Sequence, residues 1–76
     1  MHRYAVVRAA WDDEAKVWYV QESDIPGLAT EAGTLEELRR KVPLMIRDLL
    51  EGEDESPAEI EIDFIAYAHD RVTIAA

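Results

Sequence analysis

Hydrophobic and polar positions change their period several times along the chain, and each change marks an element. Arg3–Trp11 (RYAVVRAAW) is rich in valine and aromatic residues and has no breaker, which predicts a strand. One face carries Tyr4, Val6 and Ala10, the other Ala5, Val7, Ala9 and Trp11. Arg8 alone interrupts the apolar character, as expected of a strand with neighbours rather than a free edge. The polar cluster Asp12-Asp13-Glu14-Ala15-Lys16 has the length of a turn, and Lys16–Ser23 (KVWYVQES) resumes the strand signal. Two strands so closely joined predict an antiparallel hairpin.

Asp24-Ile25-Pro26-Gly27-Leu28 follows as a turn. Pro26 presets the dihedral of the first central position, and Gly27 can take the positive φ that a type II turn demands at the second. Leu28–Ala32 then reads as a third, short strand, with Leu28, Thr30 and Ala32 on one face. Thr34-Leu35-Glu36-Glu37 fits a capping box, in which Thr34 accepts a free helix amide and Glu37 reaches back to the cap. Gly33 before it eases the change of direction. Leu35, Leu38, Val42, Met45, Ile46 and Leu49 recur at spacings of three and four, one stripe of a helix. Pro43 removes a backbone hydrogen bond within that helix, yet the stripe continues in phase, which predicts one kinked helix rather than two. Glu51–Pro57 (EGEDESP) reads as a solvated loop, with Gly52 ending the helix. Ala58–Ala68 alternates: Ile60, Ile62, Phe64 and Ala66 against Glu59, Glu61 and Asp63. That period of two predicts a strand with one face in the core and one in water. Past Asp63 the second face turns apolar with Ile65 and Tyr67, so that end should be covered by something. Ala68–Arg71 could turn the chain back into a last short strand, Val72–Ile74. The expected architecture is α+β, a two-layer β-β-β-α-β domain over residues 1–76: a three-stranded antiparallel meander, a helix across it and a returning strand.

Composition narrows what such a domain can do. Seventeen acidic side chains against eight basic ones give 8 − 17 = −9 at pH 7. Nucleic acid and anionic membranes would be repelled, whereas a basic protein would be attracted. No cysteine is present, which removes disulfides, thiolate zinc sites and cysteine nucleophiles. No apolar run is long enough to span a bilayer and no signal peptide is visible, so a soluble, cytoplasmic protein is expected. At 76 residues the core is small. Chains of that size bury only roughly 60% of their unfolded surface, so a homo-oligomer, most simply a dimer, is expected to supplement it.

Candidate chemistry is sparse. Asp12, Asp13 and Glu14 could chelate a cation, but they lack a calcium-loop spacing and read better as a solvated turn. Ser23, Asp24 and His69 can be written as a nucleophilic set, but without a nucleophile elbow. His69 reads as a turn residue and His2 as a terminal one. Trp11 and Trp18 flank the hairpin turn and fit cross-strand packing better than ligand stacking. No phosphate-binding glycine loop and no basic stripe with aromatics is present, so no cofactor, metal or direct nucleic-acid contact is expected.

The run from Trp11 to Trp18, then Glu22-Ser23-Asp24-Ile25-Pro26-Gly27-Leu28, Thr30-Glu31-Ala32 and Thr34-Leu35-Glu36-Glu37-Leu38, resembles the N-terminal domain of HicB-like antitoxins. Within that family it is similar to a small stand-alone branch long classed as a domain of unknown function. The resemblance implies a truncated RNase H-like α+β fold without that superfamily's metal-binding acids. It further implies a non-enzymatic module that binds a small basic messenger-RNA-cleaving toxin of the HicA type. The operator-binding segment of full antitoxins has no counterpart up to Ala76, so operator binding is not implied. The expected contact surface is Asp12, Asp13, Glu14, Glu22 and Asp24, with the loop acids Glu51, Glu53, Asp54 and Glu55 second. Pro26, Gly27, Thr34 and Glu37 are expected to be structural, as turn and cap. Two other functions fit less well: an orphan homo-oligomeric structural domain, and a small RNase H-like hydrolase.

Overall fold

The computed structural model describes residues 2–50 and 59–75. The loop expected over Glu51–Pro57, with Gly52 and the acids Glu51, Glu53, Asp54 and Glu55, lies outside these described residues. The elements are β1 (His2–Asp12), β2 (Val17–Ser23), β3 (Glu31–Ala32), α1 (Leu35–Leu50) and β4 (Glu59–Tyr67). They form the expected α+β arrangement: a mixed sheet in the order β3-β2-β1-β4 with one helix packed on it. β1 pairs antiparallel with β2 and parallel with β4, so the most apolar strand lies inside the sheet.

Register assigns the two faces. Ala5, Val7 and Ala9 of β1 stand beside Ile62, Phe64 and Ala66 of β4. Val7 and Ala9 are buried together with Leu38, Val42 and Ile46 of α1, and Leu28 and Ala32 close the cluster. Three of the nine buried core residues, Ala5, Ala9 and Ala32, are alanines on the helix side of the sheet. The alternation along β4 holds: Ile60, Ile62 and Phe64 are half-buried against the core, and Glu59, Glu61 and Asp63 are exposed. α1 runs through Pro43 without a break. Pro43 is exposed, so the carbonyl of Arg39 that loses its amide partner lies on the hydrated side of the helix.

Local signals explain the connections. The Leu28 amide donates to the Ile25 carbonyl at 3.3 Å and Gly27 has φ +83°, the turn that Pro26-Gly27 predicts. Thr34 Oγ1 accepts the Glu37 amide at 3.1 Å, which is the threonine half of the capping box. In the first hairpin, Asp12 Oδ1 accepts the amides of Glu14 and Ala15, and the Lys16 amide closes on the Asp12 carbonyl at 2.7 Å. That closure puts Lys16 at φ 59°, a left-handed conformation that its residue type does not announce.

Three expectations need correction. The third strand is shorter than Leu28–Ala32, because Leu28 turns inward to 7% exposure and only Glu31 and Ala32 remain in the ladder. Gly33 does not need to be glycine, since its φ is not positive and a Cβ there would meet nothing within 4 Å. Val72–Ile74 is not a strand within the chain. Residues 68–75 make no ladder and are all exposed, and the molecule measures 62 × 19 × 19 Å.

Substitution of the two glycines should therefore give opposite results in urea denaturation. Gly27→Ala should cost about 1–2 kcal/mol, because a Cβ at positive φ is strained even though the nearest side-chain atom, on Leu49, is 3.5 Å away. Gly33→Ala should be neutral or stabilising by about 0.5 kcal/mol, since it reduces only the entropy of the unfolded chain.

Candidate functional site

α1 covers one side of the sheet, and among the described residues no element covers the other. Side chains alternate, so the register that buries Ala5, Val7 and Ala9 turns Tyr4, Val6, Arg8 and Ala10 to the open face. Tyr19 and Tyr67 stand on either side of Ala10 in register, and between them Ala10 is only 5% exposed. The next row is Glu22, Arg8 and Ile65, with Arg8 opposite Glu22 in register on the adjacent strand. Further along, Val6 stands beside Asp63 and Tyr4 beside Glu61. Glu31 adds one more carboxylate beside Tyr19. The result is an open surface of three tyrosines and Ile65 set among acids.

A bulge shapes this face. Arg8 pairs with Glu22 but Ala9 pairs with Val20, so Gln21 is an extra residue in β2. An open groove lies at that point, lined by Arg8, Gln21, Glu22, Ile65 and Tyr67. On the same face the Tyr4 hydroxyl donates to Asp63 Oδ2. The bond to that carboxylate, followed by partial desolvation and the charges of Asp63, Glu61 and Asp24, holds the Tyr4 phenol above the ordinary tyrosine range.

The expected contact residues divide into structural and open ones. Asp12 is occupied by the turn amides. Asp13 accepts Lys16 Nζ at 2.9 Å and Trp11 Nε1 at 3.3 Å, and these two bonds, the lysine first, hold its carboxyl below the usual range. Asp24 Oδ2 accepts the Val6 amide at 2.8 Å while its own amide donates to the Val6 carbonyl, so it continues the β1–β2 pairing past Ser23. Glu14 and Glu22 are exposed. The structure does not bring the five together: along β1, Asp12 and Arg8 (the partner of Glu22) are four residues, about 14 Å, apart. Glu31, Glu61 and Asp63 were missed as candidates, although the alternation of β4 and the apolar turn at Ile65 and Tyr67 already placed an acid-to-apolar gradient on one face.

The other candidates take ordinary structural places. Ser23 Oγ donates to the Ile25 carbonyl at 2.9 Å and accepts the Ile25 amide, a local turn bond. Ser23 and Phe64 both stand opposite Val7, and His69 lies five residues beyond Phe64, about 16 Å along the strand direction. Trp11 and Trp18 face each other across the hairpin with ring centroids 5.4 Å apart, tilted by 56°. Among the described residues no group of three or more His, Asp or Glu is placed to hold a metal ion. Nor is any helix among them long and apolar enough to cross a membrane.

Comparison with known proteins places this architecture in a family. The model of a domain of unknown function, DUF1902, matches residues 4–76, and the chain belongs to that family. It is also similar to the crystal structure of hypothetical protein TTHA1013 from the extremely thermophilic bacterium Thermus thermophilus. The two are 44% identical over 95% of this chain and 100% of that one, with a TM-score of 0.64. No curated protein matches.

The Tyr4–Asp63 bond has a defined pH signature. A raised folded pKa means that its contribution is full below the ordinary tyrosine value and is lost as pH rises through the raised one. In an NMR titration of the tyrosine rings, Asp63→Asn should lower the Tyr4 pKa toward the ordinary value. An unchanged Tyr4 titration would show that Asp63 does not set it.

Proposed function

We propose that this protein is a non-enzymatic binding module of the cytoplasm that captures and neutralises a small basic protein, in the manner of the HicB-like antitoxins it resembles. The observation that carries this reading is the uncovered sheet face, where Tyr4, Tyr19, Tyr67 and Ile65 lie among Glu22, Glu31, Glu61 and Asp63. Tyrosines give large contact area at low entropic cost and are enriched at the energetic centres of interfaces. Carboxylates around them favour a cationic partner and raise its rate of encounter. A net charge of −9 acts in the same direction over longer range. Membership of a domain family of unknown function accommodates such a role without specifying it. The partner chemistry that fits is a small basic ribonuclease of the HicA type, bound through the cationic surface it would otherwise offer to RNA.

The test is to mix the protein with a HicA-type toxin encoded beside its gene and to follow both binding and RNA cleavage. The expected outcome is stoichiometric binding with loss of cleavage, and an association rate that falls as salt rises. Glu22→Lys with Glu31→Lys should slow association about tenfold at low salt and flatten its salt dependence. Cleavage that continues in the presence of excess protein would overturn the reading.

A further inference from the structure

We propose that residues 68–75 form an exchanged arm: in a symmetric dimer, this segment of each copy pairs with the free edge of β4 in the other. Among the described residues the strand order leaves β4 at the edge of the sheet, with nine residues, no proline and one row of backbone groups outside the ladder. On the helix side of that edge a cleft opens between α1 and β4, lined by Arg39, Val42, Pro43, Ile62 and Phe64. Ile60, Ile62 and Phe64 are only partly buried there. The arm meanwhile carries Val72 at 80% exposure and Ile74 at 86%, the two most exposed large hydrophobic side chains among the described residues.

The occupant follows from length, parity and charge. Residues 59–75 in one extended run would span about 56 Å, which accounts for most of the 62 Å length of the molecule. The arm therefore projects beyond its own sheet. With a period of two, Val72 and Ile74 continue the face of Ile60, Ile62 and Phe64. A two-fold axis normal to the sheet keeps the helix sides of both copies together, so an antiparallel arm brings Val72 opposite Phe64 and Ile74 opposite Ile62. Both side chains then enter the partner's cleft. Ala68 meets its own counterpart on the axis, and Arg71 and Thr73 fall on the face that holds Asp63. In this register Asp63 stands opposite Thr73 rather than opposite a carboxylate of the other copy. Folding back within one chain offers less. Residues 68–71 (Ala-His-Asp-Arg) contain no glycine or proline for a tight reversal. The family model runs through residue 76, so the arm is part of the unit the family shares.

Light scattering on the full chain at micromolar concentration should give about twice the 8.7 kDa chain mass. Val72→Asp with Ile74→Asp should weaken the dimer roughly a hundredfold or more, with far-UV circular dichroism unchanged. A wild-type protein of single mass, or a double variant that stays dimeric, overturns the proposal. Should the double variant fail to fold, single cysteines in this cysteine-free chain decide it. Ala68→Cys should form an intermolecular disulfide readily, and Ile74→Cys, far from its own counterpart, only slowly. Equal rates of cross-linking, or none at Ala68→Cys, overturn the exchanged arrangement. Neither measurement requires the basic partner, so the result is independent of the toxin-binding reading.

Discussion

The contact between β1 and the Leu38–Val42–Ile46 stripe of α1 determines where every other part of this small protein can sit. Val7, Leu38 and Val42 are its most completely enclosed side chains, and each belongs to that contact. Because β1 is flanked by β2 and β4, burial of its inner row fixes the parity of both neighbours through the ladder. A shift of one residue would turn Tyr4, Val6 and Arg8 into the core. The alanines at positions 5, 9 and 32 present small side chains on the buried side of the sheet, which limits how much apolar area one helix can bury.

That limit shapes the surface. Among the described residues a single helix covers one side of the sheet, and the other is left to solvent or to a partner. The open side is not uniformly polar, as an idle face would be, but combines tyrosines with carboxylates. Several of its acids have local tasks, which separates charge that shapes the chain from charge that faces outward. Asp12 holds the hairpin turn, Asp24 prolongs the β1–β2 ladder and Asp63 accepts the Tyr4 hydroxyl. Glu22 and Glu31, by contrast, are exposed along the rows that carry Tyr19 and Ile65.

Much of this architecture could be read from local chemistry. Pro26-Gly27 announced its turn, Thr34 its cap, and the spacing of Leu38, Val42 and Ile46 the buried stripe of a helix that Pro43 does not break. Ile60, Ile62 and Phe64 against Glu59, Glu61 and Asp63 announced both the last strand and its inner face. Where the reading failed, the deciding interaction was between residues distant in sequence or set by backbone angle alone. Leu28 leaves the ladder because the core receives it, and Lys16 takes a left-handed conformation because Asp12 closes the turn. Gly33 looked necessary beside the cap, yet its backbone asks for nothing that an alanine could not adopt.

The site was less legible than the fold for the same reason. Five acids close together in sequence formed a natural guess, but a hairpin sends Asp12 and Glu22 to different rows, and hydrogen bonds occupy some of them. The surface that does gather recognition chemistry draws Tyr4, Tyr19, Glu31, Asp63 and Tyr67 from four strands. The elements, their amphipathic faces and the acidic charge were already written in the order of residues, because turns, caps and periodicity act over a few positions. That β1 has neighbours was legible in its sequence, but which strands flank it, which face stays open and where the acids collect emerged only on folding. Those outcomes depend on β1 finding β2 and β4 at once, and no local preference encodes that pairing.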